Sequence, residues 1–291
     1  KDLKISKTTL DNYKGIFFLL IGTVVWGLIW YPYRILNEFG FSAIHSSLFI
    51  FTSAICISLF LYPIKNLAIF KQRSFWVYAF VGGITNIAYA LAIIEGDLVR
   101  VMLLFFLSPV WTLPFTYIFL NESVKPQHIL AAVISIVGAA IILWHPHIFT
   151  SRLGLGDTYA IIGGIGFALT NVLARTFTQF SVKEKSYAIW FGVVFIAIFV
   201  MVFLSMEFKF KDIDLPSLSL FTLVGCMLLF TTMIVQNGLV LVDAVRASPV
   251  FLFEIIVVAI SGFYLANEVI HVKDFFGGLF IITGVLISSR Q

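Results

Sequence analysis

Apolar residues run through this chain in long stretches, with the polar positions gathered between the stretches. Residues 15–33, 46–64 and 74–94 contain no Asp, Glu, Lys or Arg. Each is about 20 residues, the length an α-helix needs to cross a bilayer. The same pattern continues to the end and predicts ten spans. The first five lie at roughly 14–36, 44–64, 74–94, 98–120 and 126–145, and the second five at roughly 156–178, 186–206, 216–240, 245–266 and 273–289. The expected fold is an all-α membrane protein of ten transmembrane helices.

The rare polar residues recur in register. Asp97 returns as Asp243, Arg100 as Arg246, Asn121-Glu122 as Asn267-Glu268 and Gly138 as Gly284, each 146 residues on. A second register, 141 apart, relates Gly15, Gly22 and Arg34 to Gly156, Gly163 and Arg175. With only 12% of the chain charged, composition alone does not produce such matches. The chain is expected to be a tandem duplication, 1–147 and 148–291. Five spans per copy is an odd number, so the second copy enters the membrane inverted, an arrangement common among secondary transporters.

Composition narrows the class further. The chain is 60% hydrophobic with a mean hydropathy of +1.02, far from the balance of a soluble domain. The net charge of +4 comes from Lys and Arg scattered through short loops, which gives no nucleic-acid surface. Thirteen of the 19 Lys and Arg fall on the side of the N-terminus, so both termini are expected in the cytoplasm of an inner (plasma) membrane protein. Lys1, Lys4, Lys7 and Lys14 precede an apolar run too long for a signal-peptide core, so that run is taken as the first span. Cys56 and Cys226 lie in apolar runs and are expected to be buried free thiols.

The runs LLFFLSPVWTLPFTYIFLNE and RASPVFLFEIIVVAISGFYLANE resemble the paired EamA domains of the drug/metabolite transporter superfamily. Pro109 and Glu122 match the family's spacing of a Pro about thirteen residues before a helix-ending Glu. In the second copy Glu254 holds the Glu position, fourteen before Glu268, and Ile255 replaces the Pro that follows it. The resemblance spans essentially the whole chain. It implies two inverted five-helix repeats and transport of small molecules, with bacterial members that export amino acids and related metabolites.

Candidate residues follow from burial cost. Glu254 stands in an apolar span, where an ionised carboxylate costs about 2.5–3.5 kcal/mol or more. It is a candidate to bind a substrate amine or to carry a proton; a neutral, helix-locking Glu is the bland alternative. Trp26, Trp30 and Arg34 share a face of the first span, and their 141-register copies are Phe167, Asn171 and Arg175. Trp faces suit cationic or aromatic ligands, though an interfacial belt explains Trp30 equally well. Tyr78, Thr85 and Tyr89 share a face of the third span with Asn86 beside it, and Thr232 and Gln236 lie on the eighth. Such groups orient a polar metabolite or bind helices together. Asp97 with Arg100 and Asp243 with Arg246 stand at helix starts, where capping competes with a gating role. Pro109, Pro114 and Pro249 are expected to bend helices around a cavity. His145 and His147 make a weak metal case, so no metal and no cofactor are expected, nor any enzyme activity.

The resulting expectation is a secondary transporter acting by alternating access, as monomer or homodimer in membrane lipid. Its favoured substrates are amino acids or related amine-bearing metabolites, and export is the favoured direction. A multidrug or cationic-compound exporter and a metabolite uptake carrier are alternatives within the class. A passive channel and a lipid-handling membrane protein are alternatives outside it.

Overall fold

A computed structural model describes residues 2–121, 124–144, 154–266 and 269–289. Among them every long element is an α-helix and no strand occurs. The helices are α1 (Asp2–Glu38), α2 (Ala43–Leu61), α3 (Arg73–Glu95), α4 (Leu98–Phe105), α5 (Ser108–Leu120) and α6 (Pro126–Leu143) in the first half. The second half holds α7 (Leu155–Thr176), α8 (Val182–Phe203), α9 (Leu215–Leu241), α10 (Ala244–Phe251), α11 (Phe253–Ala266) and α12 (Val272–Ser289). They form ten spans long and apolar enough to cross a membrane, with α4 and α5 sharing the fourth and α10 and α11 the ninth.

The fourth and ninth spans, expected as single helices, are thus each broken. Phe106 and Leu107 interrupt the fourth, and Leu252 the ninth. A proline stands close to each break. Pro109 stands in the first turn of α5, where its missing N–H costs nothing, and Pro249 stands two residues before the end of α10. Pro109 therefore starts a helix rather than bending a continuous one, while Pro114 lies inside α5. The breaks at Phe106 and Leu252 are 146 residues apart, the register that relates Asp97 to Asp243.

Two of the close seams between the halves are related by the registers. In one, α1 packs against α9. A side chain on Gly15 would run into Val242 and Leu241, and one on Gly22 into Val235. In the other, α7 packs against α3, with Gly156 closed on the Gly96 backbone and Gly163 within 3.5 Å of the Tyr89 nitrogen for an added Cβ. Moving Gly15 and Gly22 by 141 and Val242 and Val235 by 146 turns the first set of contacts into the second. Glycine permits the approach because its missing Cβ lets two backbones touch, the usual device of membrane helix packing. Outside these seams, α6 and α12 pair with each other, and α2 leans on α8 and α9.

Both cysteines depart from expectation. Cys56 is exposed and Cys226 half-buried. Their helices turn those faces toward lipid, where a small apolar thiol needs no burial in protein.

Candidate functional site

Between the seams lies a cavity with about 900 Å³ of space between atoms, counting its opening. Trp26, Ile29 and Tyr33 of α1 line it, with Thr85, Asn86 and Tyr89 of α3 and Phe105 at the end of α4. From the second half come Phe167, Thr170 and Asn171 of α7, Thr232, Val235 and Gln236 of α9, and Glu254.

Glu254 is 4% exposed and stands in the first turn of α11, directly after the break at Leu252. The break places the N-terminus of α11 inside the bundle, and the positive end of the helix dipole favours a carboxylate there. Tyr89 Oη donates to Glu254 Oε1 at 3.4 Å, joining α3 of one half to α11 of the other. Among the described residues Glu254 takes part in no salt bridge.

An aromatic wall runs beside it. Tyr89 contacts Phe105 at 4.9 Å between ring centroids, Phe105 contacts Phe167 at 5.4 Å, and Phe167 contacts Trp26 at 5.8 Å and Phe251 at 4.9 Å. Phe105 and Phe251 are the last helical residues before the two breaks and are register mates. Sequence reasoning missed both. Their 146-residue spacing was the available signal, but in a chain with thirty-two Phe a single matched pair does not stand out.

The amides hang from facing helices. Asn86 Nδ2 donates to the Gly82 carbonyl at 2.8 Å, which holds the side chain by its own helix and leaves its oxygen available. Thr85 and Thr170 touch at 3.3 Å across the α3–α7 seam. Gln236 Nε2 bonds Tyr78 Oη at 2.7 Å.

Of eight candidate cavity residues, Glu254, Trp26, Asn86, Tyr89, Asn171 and Gln236 converge on this space. Trp30 and Tyr78 do not line it. Trp30 lies one turn beyond Trp26 and rotated by the helical excess over a full turn. Its Nε1 donates to Ser261 Oγ at 3.1 Å, and Arg34 stands 5.1 Å from its ring centroid. At 3% exposure it belongs to the α1–α11 contact and not to an interfacial belt. Tyr78 is fully buried and stands behind Gln236.

The charged candidates gather at the ends of the bundle. Asp97 Oδ1 accepts the Arg100 N–H at 3.0 Å and caps α4. Asp243 makes no side-chain cap on α10. Its carboxylate instead meets Arg175 at 3.0 Å and Arg246 at 3.6 Å, because two guanidiniums compete for it. Glu122, Glu268, His145 and His147 lie outside the described residues.

The described helices form a membrane-spanning bundle with a buried cavity lined from both halves. The EamA-like transporter family model matches residues 13–144 and again 154–290, and the chain belongs to that family. It is a multi-pass membrane protein of the drug/metabolite transporter type. The S-adenosylmethionine uptake transporter of Rickettsia prowazekii is 25% identical over 243 residues, 82% of this chain and 79% of that one. The protein of the same description from Rickettsia bellii is 23% identical over 70% of this chain and 67% of its own length. An uncharacterized transporter of Clostridium kluyveri is 24% identical over 64% and 61%. A solved crystal structure superposes with a TM-score of 0.69 over 97% of each chain at 12% identity, a likeness of fold.

Proposed function

We propose that this chain is a secondary carrier of a cationic, amine-bearing metabolite, built as two inverted repeats, 1–147 and 148–291, that expose one cavity to each side in turn. The observation that carries the substrate charge is Glu254: a carboxylate buried in the cavity and outside any salt bridge among the described residues. Such a group is neutralised by a proton or by a bound cation. The aromatic wall favours the cation further through its ring quadrupoles. The glycine contacts that map onto one another by the two registers support the repeat reading.

The names of the relatives support uptake of S-adenosylmethionine or a metabolite like it. Such a substrate has a cationic centre for Glu254, a flat base for Trp26 and Phe167, and polar ends for Asn86, Asn171 and Gln236. Amino-acid export, the expectation from sequence, shares the amine but has no support among these names. The uncharged breadth of the aromatic wall favours a second reading, a carrier of lipophilic cations.

Counterflow in proteoliposomes tests the proposal, using labelled S-adenosylmethionine, a panel of amino acids and a lipophilic cation. Saturable counterflow of one of them, reduced about tenfold or more in Glu254→Gln (about 1.4 kcal/mol), is the expected result. Unsaturable flux would make the protein a channel, and no flux of any solute would favour lipid handling. Saturable counterflow untouched by Glu254→Gln would leave the carrier standing and remove Glu254 from its cycle.

A further inference from the structure

The two ends of the bundle are closed unequally. At one end Arg100, early in α4, reaches across to the first turn of α7 and meets Asp157 with Nε to Oδ1 at 2.6 Å. The side chains are 11% and 3% exposed. Both partners are held in place. Asp97 fixes the Arg100 backbone, and Asp157 Oδ2 accepts the Gly154 N–H at 2.7 Å. Directly beneath, Gly156 touches Gly96, so the ion pair lies over the α3–α7 seam and ties the first half to the second.

Among the described residues the opposite end shows no such tie between the halves. The register that carries Arg100 to Arg246 also carries Gly96 to Val242, and the register that carries Gly156 to Gly15 carries Asp157 to Ile16. Ile16 is a buried core residue. Among the described residues the carboxylate facing Arg246 is Asp243, of its own half. The α1–α9 seam therefore closes on Gly15, Val242 and Leu241 by apolar contact.

We propose that Arg100 and Asp157 form a one-sided latch, holding the α3–α7 end shut and making the state closed at that end the resting state of the carrier. The pair attracts most strongly while its ends are dehydrated, and water reaches both groups once the seam parts. Parting this seam then separates charges, whereas the α1–α9 contact at Gly15, Val242 and Leu241 holds no ion pair among the described residues. The proposal rests on the carrier reading.

The test uses the full chain with Cys56→Ser, Cys226→Ala and a reporter, Ile29→Cys, in the cavity wall. Right-side-out and inverted membrane vesicles are labelled with a membrane-impermeant maleimide. Asp157→Asn is expected to raise reporter labelling from the Asp157 end about tenfold or more and to lower it from the other end. Asp157→Glu, which keeps the charge, should leave the pattern of the parent, and Arg100→Gln should reproduce the effect of Asp157→Asn if that variant fails to fold. Equal increases from both ends would mean general loosening and would overturn the latch, as would no change in any variant. Counterflow is measured on the same preparations. A labelling shift without transport of any solute refutes the carrier reading and not the latch; transport without a shift does the reverse.

Discussion

Trp26 and Trp30 show how much one helical turn decides. Both are tryptophans on α1, yet only Trp26 reaches the cavity, while Trp30 spends its N–H on Ser261. The two should therefore fail differently. Trp26→Ala is expected to raise the half-saturation concentration for a cationic substrate by an amount equivalent to about 1–2 kcal/mol, read from counterflow titrations. Trp30→Phe should cost about 1 kcal/mol of stability through its lost hydrogen bond and leave substrate affinity at the parent value, seen by comparing thermal unfolding in detergent with the same titrations. Asp214 illustrates a titrating residue outside the spans. Its bonds with Ser217 hold its carboxyl below the ordinary Asp range, so the N-cap of α9 is at full strength above that range. The cap is lost as pH falls through the depressed value. Amide exchange at Ser217 should accelerate in acid beyond its intrinsic pH dependence, and Asp214→Asn, an uncharged cap, should abolish the extra acceleration.

Helix packing in this bundle depends on backbone contact as much as on side chains. Gly192 of α8 lies against the Ala79 carbonyl of α3, and Gly83 of α3 lies against Gly192 in turn. A methyl group has no room there, since the obstacle is backbone and not a movable side chain. Gly192→Ala should destabilise the protein by about 1–3 kcal/mol, with a lower midpoint of thermal aggregation as the readout; an unchanged midpoint would show that α3 and α8 can separate freely. The element level was legible in part. The length of apolar runs marked all ten spans, because a bilayer imposes a minimum length that composition alone reveals. The breaks within the fourth and ninth spans were not legible. Pro109 and Pro249 were visible as helix-perturbing residues, but whether a proline kinks a helix or divides it depends on the partners that receive the freed carbonyls.

At the scale of the whole molecule, the registers of 141 and 146 brought together residues far apart in sequence, and the cavity drew on both. Glu254, Asn86, Asn171 and Gln236 could be picked out because polar atoms are conspicuous in an apolar chain. The aromatic wall could not, since Phe105 and Phe251 look like any other lipid-compatible residue until the breaks aim them inward. Nor could the Arg100–Asp157 pair, which joins positions 57 apart with no partner in the other register. The position of α7 has one more consequence. It is the least apolar of the ten candidate spans, yet it packs against α3, α4, α5, α9 and α10, so protein surrounds it more than lipid does. During synthesis α7 emerges after α3, α4 and α5 but before α9 and α10. A helix with so weak a claim on the bilayer needs the earlier three already in place as its solvent. Biogenesis of the second half is thereby coupled to the first, and residues 148–291 made alone should enter membranes poorly until residues 1–147 are supplied in trans.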